Sequence, residues 1–328
     1  MAIIYHEELV QHDHWPNHPE SPFRLRSIRK KLEQEGLWND IVIPERLQES
    51  DLLEVHSQQH IEHIRRGGNM PIDSDTMLKD QTYDLANLAA GAAYEAAKAA
   101  LGGNMSVALT RPPGHHARAN EAGGFCYFNN VAVAAHKSHV RTAIVDLDAH
   151  HGNGTEEIFY CRDDVLFISL HQWDFFPSTG YLDNIGDKKG RGYNVNIPLQ
   201  NGSGNKVYNA AFDQIVEPIL NIFSPELIIV SLGVDAHYCD NLSKLNLNTP
   251  GYISLNKRLI DFMDQTNIAF VLEGGYHLRA TAEVVAGVVS AFEGKTIKPE
   301  YAEEWEEPAL GESMITLAKK VHSKYWNI

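Results

Sequence analysis

Four short, mostly apolar runs rich in β-branched residues punctuate this chain, at 106–110, 142–147, 227–232 and 268–272. None alternates with polar residues, and each runs into a polar, glycine-containing segment, the pattern of a strand covered on both faces. Helical stretches separate them. An alanine-rich segment at 81–101 is stopped by Gly102-Gly103, and further helices are predicted at 22–35, 130–138, 206–222, 254–265 and 283–292. Shorter helices are predicted at 50–55 and 60–66, a helix start at 155–159, a strand at 165–170 and a short edge strand at 2–5. Residues 12–24 and 171–192 read as loops, and the charged segment 294–328 as ending in a helix against the body. Strands alternating with helices predict an α/β fold with a parallel sheet and helices on both faces.

In such a sheet the C-terminal ends of the strands share one edge, where open α/β proteins keep their sites. Here those ends are Arg111-Pro112-Pro113-Gly114-His115-His116, then Asp146 to Gly154, then Ser231 to Asp235, then Glu273-Gly274-Gly275-Tyr276. Asp148 and His150, two apart on an extended chain, project to the same side. With Asp235 they make three ligands with open positions, the pattern of a catalytic metal site, whereas a structural zinc site is closed by four. An Asp₂His set suits Zn²⁺ and also accepts Fe(II), Co(II) or Mn(II). His115 and His116 can serve as base and acid near neutral pH. A carboxylate partner such as Asp146 favours an imidazolium and an amide such as Asn153 does not, so the two rings should differ in basicity. Tyr276 can donate to a developing oxyanion. Phe125 and Phe176 lie on loops and can form a slot for an alkyl chain. Plainer readings stay open for each: a helix N-cap for Asp235, a buried structural imidazole for one of the histidines, a packed aromatic for Tyr276.

Composition narrows the function classes. The chain has 328 residues, 43% of them hydrophobic, enough for one large core. Its formal net charge of −15 argues against nonspecific binding to nucleic acid or to an anionic membrane. Three cysteines, Cys126, Cys161 and Cys239, are no disulfide framework. No leader pattern and no apolar run of membrane-spanning length are present, so a cytoplasmic protein is expected. No linker or internal repeat divides residues 1–328, which read as a single domain; a homo-oligomer stays open.

The motifs RPPGHHA at 111–117, GGFCYFNN at 123–130, DLDAHHGNG at 146–154, Ser169-Leu170-His171, SLGVD at 231–235 and EGGY at 273–276 occur in one order. Together with His18-Pro19-Glu20-Ser21-Pro22-Phe23-Arg24-Leu25 they resemble the zinc-dependent histone deacetylase family, which includes acetylpolyamine amidohydrolases. The likeness covers roughly residues 15–290. It implies the arginase/deacetylase fold with an eight-stranded parallel sheet. It also implies Asp148, His150 and Asp235 as zinc ligands, His115 paired with Asp146, His116 as general base and then acid backed by Asn153, and Tyr276 as the carbonyl-polarising hydroxyl. Phe125 and Phe176, with Gly124, Gly274 and Gly275, match the substrate channel, and Arg24 matches an internal-cavity arginine. Asp146, Asp148, His150, Ser169 and Leu170 match a potassium site. Asn153 and Glu273 resemble class II and prokaryotic members. Leu242, seven residues after Asp235, stands where some polyamine-selective relatives carry a glutamate; an apolar residue there favours acetyl-lysine-type or broad substrates. The acidic loop 72–75 keeps a cationic acetylpolyamine as the alternative substrate. The expected partner is thus an acylated amine, and the expected reaction is hydrolysis to acetate and free amine.

Two rivals remain. An arginase-like ureohydrolase would need a two-metal cluster, for which Asn153 and His150-His151-Gly152 supply too few ligands. A non-enzymatic acyl-ligand binder would have no use for an intact ligand set with Tyr276.

Overall fold

A computed structural model of the chain describes residues 1–264 and 266–328. Among the described residues ten strands occur, in chain order: β1 (Ala2–Ile4), β2 (Ile41–Val42), β3 (Met70–Pro71), β4 (Met77–Leu78), β5 (Ser106–Ala108), β6 (Thr142–Asp146), β7 (Val165–Gln172), β8 (Asn194–Leu199), β9 (Leu227–Leu232) and β10 (Asn267–Leu272). Eight of them form one sheet in the order β2-β1-β5-β10-β9-β6-β7-β8. Every pairing within it is parallel. The arginase/deacetylase architecture expected from the motifs is therefore present. The four apolar runs of the sequence are the adjacent central strands β5, β10, β9 and β6, so their polar C-terminal ends meet at the middle of one edge.

Several predicted elements need correction. β1 is not an edge strand: β2 pairs outside it, Ile3 opposite Ile41. β2 and β8 were not predicted. Two residues of β2 carry no period, and Asn194, Asn196 and Pro198 disguise β8, whose edge position tolerates the proline. The helix expected at 206–222 is two helices, Asn205–Ala211 and Glu217–Phe223, joined by a π turn over Phe212–Val216. Pro218 has no N–H for the carbonyl four residues back, which accounts for the widened turn. The helix expected from 254 begins at Thr249, where Asn248 accepts the N–H of Gly251 and Pro250 fills the first turn. Its predicted end at Gln265 lies outside the described residues. The next helix starts at Leu278 rather than 283, capped by the His277 side chain.

The sheet is buried on both faces. One layer includes Val145, Ile168, Val230 and Phe270; the other includes Ile144, Phe167, Ile229 and Val271. The helix Thr82–Leu101 covers the second face with alanines at 90, 92, 93, 96 and 97, all 0% exposed. Small side chains let the helix axis lie close to the strands. The helix Leu310–His322 ends the chain against β8. There His322 Nε2 lies 3.2 Å from the Asn196 carbonyl oxygen, and Trp326 Nε1–H donates to the Gly192 carbonyl at 2.8 Å. No helix among the described residues is long and apolar enough to cross a membrane.

Candidate active site

The end of β6 delivers Asp148 and His150, and the end of β9 delivers Asp235. All three are buried, and one donor atom from each lies within 4.8 Å of the others. His150 Nδ1 is 3.1 Å from Asp148 Oδ1 and 3.0 Å from Asp235 Oδ2. Its Nε2–H is directed at the Leu242 carbonyl at 3.1 Å, which leaves Nδ1 facing the carboxylates. The remaining carboxylate oxygens are held by backbone: Ala149 N–H donates to Asp235 Oδ1 at 2.7 Å and Gly274 N–H to Asp148 Oδ2 at 2.8 Å. Gly274 has to be glycine, since a Cβ there would sit 2.4 Å from Asp235 Oδ2 and 2.5 Å from Asp148 Oδ2. Burial and the neighbouring Asp148 charge push Asp235 up to about 7. Burial disfavours the His150 imidazolium, yet Asp235 and Asp148 outweigh it and hold the ring well above its ordinary value. Two buried carboxylates and an imidazole converging without a fixed cation suit a divalent metal.

A second group of buried donors, His12, His14 and Glu20, lies apart from these three. There Glu20 is already neutralised by Arg111 Nε at 2.7 Å and Arg24 at 3.3 Å, so a divalent cation would meet two guanidinium charges.

The tandem histidines are brought to the same place with different partners. His115 Nδ1 is 3.0 Å from Asp146 Oδ2, and His116 Nδ1 is 2.7 Å from Asn153 Oδ1. Burial lowers the His115 ring, but Asp148 and Asp146 overcome it and push it up to about 10. Burial, His115 and His150 hold His116 well below its ordinary value. The difference in basicity expected from a carboxylate and an amide partner is thus present in direction. The turn bearing both rings is fixed by Glu273, whose Oε2 accepts Gly114 N–H at 2.6 Å and His115 N–H at 3.2 Å. That role escaped sequence reasoning, because Glu273 stands 158 residues from His115.

An open cleft of about 350 Å³ leads to these groups. His116, His150 and Tyr276 lie on its lining, Phe125, Phe175 and Phe176 form walls, and Leu242 and Asp75 also line it. Phe175, for which the sequence carries no motif signal, stacks on His150 with ring centroids 5.5 Å apart. Phe176 meets His116 edge-on at 5.1 Å, and Phe125 meets Tyr276 at 5.8 Å. Gly124, at φ +56, passes so close that a Cβ would lie 2.6 Å from His116 Cδ2. Burial raises the Tyr276 hydroxyl well above its ordinary value, so it stays a donor at neutral pH. Gly275, at φ +116, turns the chain just before it. Arg24 is fully buried; its Nε–H donates to the Gly275 carbonyl at 2.7 Å, so it braces the tyrosine loop. Ser169 stands opposite Asp146 in the β6–β7 register, with Leu170 buried beside it.

The histone deacetylase domain family matches residues 18–292. The chain is 38% identical to a probable deacetylase of Archaeoglobus fulgidus, over 99% of this chain and 98% of that one. It is 37% identical to a histone deacetylase-like amidohydrolase of Pseudomonas aeruginosa, over 79% of this chain and 72% of that one. A crystal structure of the HDA15 HD domain superposes with a TM-score of 0.91 at 32% identity, covering 99% of this chain and 95% of that one. With the motifs, the sheet and these likenesses in agreement, the chain belongs to the histone deacetylase family of hydrolases.

Proposed function

We propose that this hydrolase cleaves the N-acetyl amide of an acetyl-lysine-type substrate with one catalytic metal ion, releasing acetate and the free amine. The observation that carries the reading is the convergence of Asp148, His150 and Asp235 beside His116 and Tyr276 on one aromatic-walled cleft. Asp148, His150 and Asp235 would hold the metal, with zinc the first choice and Fe(II) or Co(II) as substitutes. When bound, such an ion supplies a Lewis acid and a water acidic enough to ionise near neutral pH.

The chain's own groups supply the rest. His116, kept neutral by its surroundings, is oriented by Asn153 through Nδ1. Its Nε2 is then free to take a proton from the attacking water and return it to the leaving nitrogen, with His115 as the alternative donor. Tyr276 donates to the acyl oxygen as it gains negative charge, an interaction stronger in the transition state than in the ground state. Phe125 and Phe176 exclude water along the methylene chain, and Leu242 offers the mouth an apolar edge. Asp146, Asp148, His150, Ser169 and Leu170 are the set we read as holding a potassium ion behind the metal strand. Residues 1–328 we read as one deacetylase domain.

A second reading, hydrolysis of small acetylpolyamines, is favoured by one feature: Asp75 lines the same cleft and would face a cationic tail. Hydrolysis of an acetyl-lysine peptide and of N-acetylputrescine, side by side, with zinc-loaded and chelated protein, separates the two. Metal-dependent turnover of the peptide supports the first reading. Turnover of N-acetylputrescine alone moves the substrate to small cations and removes the argument from Leu242.

A further inference from the structure

Asp240, only 6% exposed, is used by neither the metal set nor the proton relay, yet its carboxylate accepts three backbone N–H groups. Oδ2 takes Tyr276 N–H at 2.6 Å and His277 N–H at 3.0 Å, and Oδ1 takes Leu242 N–H at 2.9 Å. These donors come from two separate segments. One is the loop after β10 that carries Tyr276. The other is the turn after Asp235, in which the Leu242 carbonyl lies 3.1 Å from His150 Nε2. One carboxylate therefore ties the tyrosine loop to Leu242, the residue whose carbonyl faces a metal-facing imidazole.

The carbonyls of the tyrosine loop are held by a cation. Arg24 donates to the Gly275 carbonyl at 2.7 Å and to the Glu273 carbonyl at 2.5 Å, and its guanidinium lies 5.0 Å from the centre of the Tyr276 ring. The loop is clamped between a buried anion that holds its N–H groups and a buried cation that holds its carbonyls. Such a clamp suits a segment turning through Gly275 at φ +116, which lacks the bonds of a helix or strand. Three donors need both carboxylate oxygens. An amide at this position would turn an NH₂ group toward at least one of them and leave a buried donor unpaired.

We propose that Asp240 is a positioning residue for the reaction, one that sets the Tyr276 hydroxyl relative to the metal-facing set by binding both segments. The proposal rests on the reading of Tyr276 as the donor to the acyl oxygen.

A double-mutant cycle tests it, run on the full-length zinc-loaded chain with an acetyl-lysine peptide. The four proteins are the wild type, Asp240→Asn, Tyr276→Phe and the double variant, compared by kcat, KM and bound zinc. Asp240→Asn is expected to lower kcat roughly 10- to 100-fold, the usual cost of losing an orienting partner, with KM and zinc content held. In the Tyr276→Phe background the same change should cost no more than about twofold, because the group it positions is gone. Equal losses in both backgrounds would overturn the proposal, as would an unchanged kcat in Asp240→Asn. A Tyr276→Phe protein as fast as wild type would instead sink the reading of the tyrosine itself, and this role for Asp240 with it. Should Asp240→Asn fail to fold, Asp240→Glu keeps both oxygens on a longer arm. The same non-additivity is expected of it, and additive losses would again contradict the proposal.

Discussion

His116 Nδ1 lies 2.7 Å from the amide oxygen of Asn153, the first residue of the helix Asn153–Phe159 that leaves the ligand-bearing strand. The chain segment that supplies Asp148 and His150 thus also orients the His116 ring. Asn153→Ala removes the acceptor without removing a charge. Turnover of an acetyl-lysine peptide should fall roughly 10- to 100-fold with zinc content unchanged. A wild-type rate would show that His116 is oriented without it.

Tyr276→Phe keeps the ring against Phe125 and Arg24 and deletes only the hydroxyl. Removing one donor to an oxyanion costs on the order of 10² to 10³ in kcat. That loss should appear in kcat more than in KM, with metal binding retained, as read by steady-state kinetics and metal analysis. A fall confined to KM would mean that the hydroxyl binds the ground state equally well.

Stability should depend on pH through two histidines that do not line the cleft. His56 Nδ1 donates to the Arg118 carbonyl at 2.9 Å and its Nε2 accepts Asn129 N–H at 2.9 Å, so the folded ring is neutral. Burial and the neighbouring His60 push it down to about 3, and burial pushes His322 down to about 4. Unfolded, both would take a proton near pH 6.5. Between those values the unfolded chain binds more protons, so the stability these groups contribute is present above about pH 6.5 and is lost as pH falls. Each adds up to about 1.4 kcal/mol per pH unit to the slope. Denaturant midpoints at pH 7, 6 and 5 should fall, and His56→Gln should flatten the fall by one such increment. Identical slopes in the two proteins would contradict the assignment.

Chelation should lower the melting temperature as well as activity, because Asp148 and Asp235 are then left facing each other in a buried site. Restoring zinc at about 100 times its dissociation constant should return about 2.7 kcal/mol of apparent stability. A melting curve indifferent to metal would mean that the three side chains hold none.

Much of this was legible in the residues. The apolar runs that become β5, β6, β9 and β10 are buried on both faces, so their patterning is strong, and the acids and imidazoles just past their ends mark the edge on which the candidate site lies. What stayed hidden depends on contacts between distant positions. Glu273 binds the backbone at Gly114, and Asp240 binds the backbone at Tyr276, 36 residues on; no periodicity records either contact. β8 was missed because its asparagines serve the Glu156 carboxylate, to which Asn194 and Asn196 both donate at 2.7 Å, and so look like turn residues. The start at Thr249 was missed although Asn248-Thr249-Pro250 is a good helix-start signal, because the apolar period begins only later.

In the proposed reaction one metal ion held by Asp148, His150 and Asp235 drives the hydrolysis. The most direct measurement is zinc per chain, by mass spectrometry or elemental analysis, alongside amide-hydrolysis rate, for the wild type and for Asp235→Ala. One zinc per wild-type chain, its loss in Asp235→Ala and a matching loss of turnover are predicted. Full activity in a metal-free wild type, or a zinc-free Asp235→Ala that still hydrolyses the amide, would contradict it.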